Sequence, residues 1–173
     1  MTLRTFFNRS ASGAVLAAAI CASSATLADT KTEKTGVPFK AAFVISELTV
    51  GADGSCQRIT TISGSGTASH LGRATLTSQD CVNIAGFSPV TFNFVSNNVK
   101  LQAANGDQLF ATYSGTAVLQ PAGGALLLSG NFTLAGGTGR FAGATGGGSL
   151  EGLEDISTAP AHGMVMLSGR ISY

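Results

Sequence analysis

The chain has 173 residues, of which 44% are apolar and 11% charged, with a formal net charge of +1. That length allows one domain with a real core, and that apolar content excludes a disordered chain. The near-neutral charge gives no electrostatic footprint for nucleic acid or for an anionic membrane surface, so neither is expected as a partner. Gly is abundant at 23 residues and Trp is absent. Together with many Val, Thr, Phe and Leu residues, this composition points to short strands and tight turns.

The N-terminus reads as a targeting segment. Arg4 and Arg9 form a positive start, and Ala11 to Ala22 is a continuous small and apolar run too short to span a bilayer comfortably. Residues 1–28 are therefore expected to be a signal peptide, with Thr26 and Ala28 as the small residues at the cut; cleavage after Ala25 is the alternative. Cys21 follows Ile20 rather than a small residue, so it is expected to leave with the signal rather than to carry lipid. The expected destination is the periplasm or the exterior. Residues 29–37, Asp29 to Val37, form a polar leader expected to be flexible, and 38–173 form the folded domain. No later stretch reaches the roughly 18 apolar residues of a membrane-spanning helix.

From Pro38 onward the pattern is strand, turn, strand, with no sustained helical period. The first strand, Phe39 to Val50, puts Phe39, Phe43 and Ile45 on one face and Val44, Leu48 and Val50 on the other. A turn at Ala52-Asp53-Gly54-Ser55 follows, then strands at Cys56 to Ser63 and Ala74 to Val82. Folded at Ala68/Ser69, these two strands would bring Cys56 opposite Cys81. An even pair of cysteines in an exported chain reads as a disulfide, which for this loop stabilises by about 3 kcal/mol. Two cysteines without clustered histidines make no zinc site, and no metal is expected.

Val90 to Phe94 and Val99 to Ala103 each alternate cleanly and read as two strands. Asn105-Gly106 then predicts a type I′ hairpin that sets Leu101 against Phe110 and Val99 against Thr112. The meander continues through Leu109 to Leu119 and turns at Pro121-Ala122-Gly123-Gly124. It runs on through a face of Leu126, Leu128, Phe132 and Leu134, and ends with Val165 to Tyr173. About eight short strands with turns between them argue for a sandwich or barrel, and a closed barrel leaves no exposed edges.

Two stretches carry a resemblance. They are Gly136-Gly137-Thr138-Gly139-Arg140-Phe141-Ala142-Gly143-Ala144-Thr145-Gly146 and the weaker Gly66-Thr67-Ala68-Ser69-His70-Leu71-Gly72-Arg73. The chain resembles the allene oxide cyclase and dirigent superfamily, in particular its small exported bacterial members. The resemblance implies an all-β fold, a single antiparallel eight-stranded barrel of the calycin-like kind. In the plant enzymes of that family, acidic and polar residues inside the barrel do the chemistry; none of those positions carries over onto this sequence. The glycine-rich run reads as a structural turn: Gly136, Gly137, Gly139 and Gly143 permit a sharp reversal, and Phe141 plugs the end of the core.

Few residues suggest chemistry. Glu47 lies in phase with Phe43 and Ile45, so an inward face would bury its carboxylate and raise its pKa, making it the acid–base candidate. Arg58 and Arg73 read as solvated surface or as the rim of a cavity. Glu151, Glu154 and Asp155 lack metal-loop spacing and read as a solvated loop. Gly137 to Ala142 matches the GxGxxA dinucleotide spacing, but its flanks are β-like, so no cofactor is expected. Ser69, His162 and Asp155 assemble a triad on paper only, since no nucleophile elbow is present. His70 reads as a turn residue bonded to backbone. The leading expectation is a non-catalytic exported barrel that holds a small apolar ligand. The alternatives are an isomerase or cyclase using Glu47, and an outer-membrane barrel. The last is suggested by the alternation of Val165, Leu167, Gly169, Ile171 and Tyr173 and opposed by an aromatic content of only 7%.

Overall fold

A computed structural model describes residues 33–173. The expected signal peptide, 1–28, and its expected cleavage site lie outside the described residues. Eight antiparallel strands form a closed barrel in simple sequential order. They are β1 (Val37–Gly51), β2 (Arg58–Ala68), β3 (Gly72–Phe87), β4 (Val90–Ala103), β5 (Gln108–Leu119), β6 (Ala125–Gly137), β7 (Thr145–Asp155) and β8 (Ala161–Ser172). Closure is made by β8 against β1, from Val37 opposite Ile171 to Glu47 opposite Ala161.

The expected strand number holds, but two of the expected strands are redrawn. Val90 to Phe94 and Val99 to Ala103 belong to the single strand β4. A register irregularity between Ser96 and Val99 switches the inward phase from Phe94 and Ser96 to Val99, Leu101 and Ala103. An inserted residue of this kind breaks alternation without ending a strand. Conversely, the acidic stretch expected as loop, Glu151 to Asp155, lies in the strand β7. Its inward residues are Leu150, Gly152 and Glu154, so the acidic group Glu151, Glu154 and Asp155 is split, with Glu151 and Asp155 outside and Glu154 buried.

Two registers also differ from expectation. The β4–β5 connection uses four residues rather than two, so Leu101 faces Leu109 and Val99 faces Ala111. Only Gly106 takes a left-handed φ there (91°), whereas a type I′ turn needs two such residues. The one-residue slip turns Leu109 inward in place of Phe110. In the β2–β3 hairpin, Cys81 pairs with Ile59, and Cys56 precedes β2 altogether. The disulfide Cys56–Cys81 nevertheless forms, with Cα atoms 5.1 Å apart. The connection folds back over β3, where Gln57 N donates to Asn83 Oδ1 at 2.8 Å and Ile84 N to Gln57 Oε1 at 2.6 Å. Asp53 Oδ1 holds the same connection by accepting from Ser55 N at 2.8 Å and Cys56 N at 2.7 Å. Such a bond belongs in an oxidising compartment.

One end of the barrel is sealed. At the end of β6, Gly136 (φ 86°) and Gly137 lead into a single 3-10 turn, Gly139–Phe141, and Gly143 (φ 79°) leads out. Phe141 points into the core, fully buried, with its ring 5.0 Å from that of Tyr173. Thr138 N donates to Gln108 O at 2.8 Å, and Gln108 N returns a bond to Thr138 Oγ1 at 2.9 Å. Gly139 takes a left-handed φ (56°) that a side chain strains, and a Cβ there would also displace the Asp107 carboxylate. That carboxylate also pairs with Arg140 Nε at 3.3 Å. The leader is tied to the same end: Lys34 and Tyr173 exchange two backbone hydrogen bonds of 2.8 Å each. His70 (φ 69°) completes the β2–β3 turn, with Nε2 3.0 Å from Pro38 O.

Outside, the barrel has two characters. The outward residues of β2 (Thr61, Ser63, Ser65, Thr67) and β3 (Arg73, Thr75, Thr77, Gln79) are polar. Across β1, β8, β7 and β6, by contrast, Val44, Met164, Leu153 and Leu127 lie side by side and exposed.

Phe141→Ala is expected to lower stability by about 3–5 kcal/mol, the usual cost of emptying a fully packed aromatic site. A urea titration checks this: the midpoint should fall with an unchanged slope.

Candidate functional site

The other end of the barrel is open. It carries the β1–β2, β3–β4, β5–β6 and β7–β8 connections, and a cavity of about 300 Å³ runs inward from it. The walls are apolar: Ile45, Ile62, Leu76, Phe94, Leu128 and Val165 among others. Arg58, Ile156 and the Thr158-to-Ala161 segment form its rim. Arg58 is exposed there, its guanidinium carbon 5.7 Å from the Phe92 ring centroid.

Three carboxyl groups reach into this apolar space: Glu47 from β1, Asp80 from β3 and Glu154 from β7. Each sits on an inward phase. Glu47 continues Phe39, Ala41, Phe43 and Ile45; Asp80 continues Ala74, Leu76 and Ser78; Glu154 continues Leu150 and Gly152. Glu154 lies opposite Gly163, which in turn lies opposite Ile45. Gly163 has no side chain to stand between the carboxyls of β7 and β1.

Asp80 is held by two buried hydroxyls. Tyr113 Oη donates to its two oxygens at 2.7 and 2.8 Å, and Ser78 Oγ donates to Oδ1 at 2.6 Å. Ser78 Oγ is also 2.8 Å from Ser96 Oγ, whose hydroxyl reaches Gln79 O at 2.8 Å. The β3–β4 irregularity between Thr77 and Cys81 brings Ser78, Asp80 and Ser96 into this buried network. Tyr113 is held in turn by edge-on contact with Phe94, the ring centroids being 5.8 Å apart. Gly115 makes room for that ring, since a Cβ there would lie 2.6 Å from Phe94 Cζ.

Glu154 and Thr60 are different. Glu154 is 3% exposed and Thr60 2%, yet neither Glu154 Oε1 nor Thr60 Oγ1 has a hydrogen-bond partner. Thr60 stands directly opposite Asp80 in the β2–β3 ladder.

The electrostatics follow from burial. Loss of water raises the Asp80 carboxyl to about 6, against the hydrogen bonds of Ser78 and Tyr113 that favour its charge. Burial, and then the negative charge of Glu47, raise Glu154 to about 8. Glu47 is also raised by burial, offset by Thr60, Glu154 and the charge of Arg58. Burial and then the Asp80 charge push the Tyr113 phenol above its ordinary value. The cavity therefore holds carboxyl groups of unequal proton affinity, with Glu154 raised further than Asp80.

Of the residues singled out in the sequence, Glu47 lines the cavity and Arg58 its rim. Arg73 lies on the outer face at the opposite end of β3. The paper triad does not assemble: Asp155 and His162 pair on the outer surface near the mouth, while Ser69 bonds Lys40 at the sealed end. The run Gly137 to Ala142 forms the sealing turn rather than the start of a long helix. Among the described residues, no group of three or more His, Cys, Asp or Glu side chains is arranged to hold a metal ion. Asp80, Tyr113, Thr60, Ser78 and Glu154 escaped sequence reasoning. The signal that selected Glu47, a polar residue in phase with an apolar face, was present for Asp80 and Tyr113.

The raised carboxyls make stability depend on pH. Each binds its proton more tightly folded than unfolded, so stability is greatest below the ordinary carboxyl pKa and is lost as pH rises through the folded value. For Glu154 the loss extends from about 4.5 to about 8, and for Asp80 from 3.8 to about 6. The slope is about 1.4 kcal/mol per pH unit for each group while it titrates. Thermal melts should show a falling Tm from pH 5 to 8, and Glu154→Gln should flatten the part above pH 6.

Comparison with protein-family models, with curated proteins and with solved structures gives no match to this chain, so its function rests on the cavity itself.

Proposed function

We propose that the protein is an exported binding barrel that takes one small, largely apolar molecule through its open end. The molecule's body lies against the apolar walls, and its polar end meets Glu47, Thr60 and Glu154. The observation that carries this reading is the unpaired Glu154 Oε1, buried inside an apolar cavity that opens to the surface. An unsatisfied buried polar atom costs free energy, which a ligand donor recovers. The cavity volume is at the small end of the roughly 300–1,000 Å³ range of small-molecule sites. The disulfide supports an exported location, and the periplasm or exterior is the compartment proposed. The polar outer rows of β2 and β3 and the apolar interior favour a water-facing barrel over a lipid-facing one, whose alternation runs the other way.

A second reading is an isomerase or cyclase. It is favoured by two carboxyl groups in one cavity at about 6 and about 8, a separation that supplies an acid and a base together. The family resemblance points the same way by analogy of fold.

Binding is tested by thermal shift with a panel of small apolar and aromatic compounds. A ligand at a hundred times its Kd should stabilise by about 2.7 kcal/mol. Leu128→Trp, which fills the cavity from its wall, should abolish the shift. A shift that survives Leu128→Trp would locate the ligand elsewhere.

A further inference from the structure

We infer that the ligand is a cation: a small apolar amine, bound as an ammonium whose head sits between Glu47, Glu154 and Thr60. This rests on the binding reading above and names the chemical class of its occupant.

The first support is charge. Three carboxyl groups line the cavity, and among the described residues no cation lies within salt-bridge distance of any of them; the charge of Arg58 acts on Glu47 from the rim. Arg58, the one basic residue on the lining, is exposed at the rim over Phe92. The second support is a hydroxyl group. Thr60 Oγ1 is an unpartnered hydroxyl, 2% exposed, on the cavity wall. A primary ammonium carries three N–H donors and no acceptor. Glu154 Oε1, the Glu47 carboxylate and Thr60 Oγ1 provide three acceptors within one site. A neutral alcohol has a single hydrogen to give, and a carboxylate would meet like charge. The aromatic walls, Phe92, Phe94 and Tyr113, suit an aryl or alkyl tail.

Binding carries a proton balance. The ammonium enters charged, the protonated Glu154 carboxyl loses its hydrogen to solvent, and a carboxylate–ammonium pair remains. The titratable groups facing Glu154 are Glu47 from β1 and Asp80 from β3, with Arg58 and Tyr113 further along the lining. His162 of β8 is exposed and pairs across the ladder with Asp155 rather than entering the cavity.

The test is calorimetric titration of the folded chain with phenethylamine, phenethyl alcohol and hydrocinnamate, three compounds with one aryl tail and different heads. At neutral pH, in two buffers of different ionisation heat, the amine should bind at least about tenfold tighter than the alcohol and release a proton. The acid should not bind. Glu154→Gln and, separately, Glu47→Gln should each bring the amine's affinity down to that of the alcohol measured in the same variant. Circular dichroism confirms that each variant is folded, and if one is not, the other carries the test. An alcohol that binds as tightly as the amine overturns the cationic assignment and leaves the binding reading standing. An amine advantage that persists in both variants, or that comes without proton release, also overturns the assignment. Absence of binding by all three, and by the wider panel, overturns the binding reading itself.

Discussion

Closing β8 onto β1 fixes the radius of the barrel, and with it a nearly constant interior volume for each level of side chains. Everything else is a matter of how the inward residues divide that volume. Toward the sealed end Phe39, Phe43, Phe132, Phe141, Leu101 and Leu109 fill it, with ring centroids of Phe39 and Phe132 5.7 Å apart. Toward the other end the inward residues shrink or turn polar: Gly115, Ala117, Thr60, Gly163, Glu154. The same ring that is solid at one level is hollow at the next.

The hollow level is also where the fold is least comfortable. A carboxyl in an apolar cavity loses hydration and recovers only what its neighbours return. Asp80 recovers much of it through Tyr113 and Ser78. Glu154 recovers less and holds its proton instead. Hydrophobic residues at Glu47, Thr60 and Glu154 would have packed such a barrel more simply. Their presence is a cost to stability concentrated at one site, the pattern expected where packing has given way to recognition.

Much of the fold was legible because alternation is a strong signal where both phases are unambiguous. β1 is the clearest case: Phe39, Phe43 and Ile45 set the inward phase, and Glu47 follows it into the cavity. Legibility failed wherever an irregularity changed the phase. The insertion after Ser96 made one strand look like two. In β7, the only large apolar residues, Leu150 and Leu153, sit in opposite phases, and glycine and polar residues fill the rest, so no alternation was visible and Glu154 looked like solvent-facing loop. Asp80 and Tyr113 were hidden for a different reason. Each stands on a readable inward face, but their meeting depends on registers that one residue can shift, as at Asn105-Gly106 and at the disulfide hairpin. Phase identifies which side chains face in; only register decides which of them touch.

The pairing of Lys34 with Tyr173 places the first described residues beside the last, on the sealed face. In a ring whose eight neighbour contacts are all hairpin-like, the position of the break is arbitrary to the packing. A short linker joining these ends, with a new opening at the exposed Pro121-to-Gly124 turn, gives a circular permutant of the same barrel with its termini at the rim. A reporter group fused there stands over the entrance, whereas one fused to Tyr173 stands a full barrel length away from it.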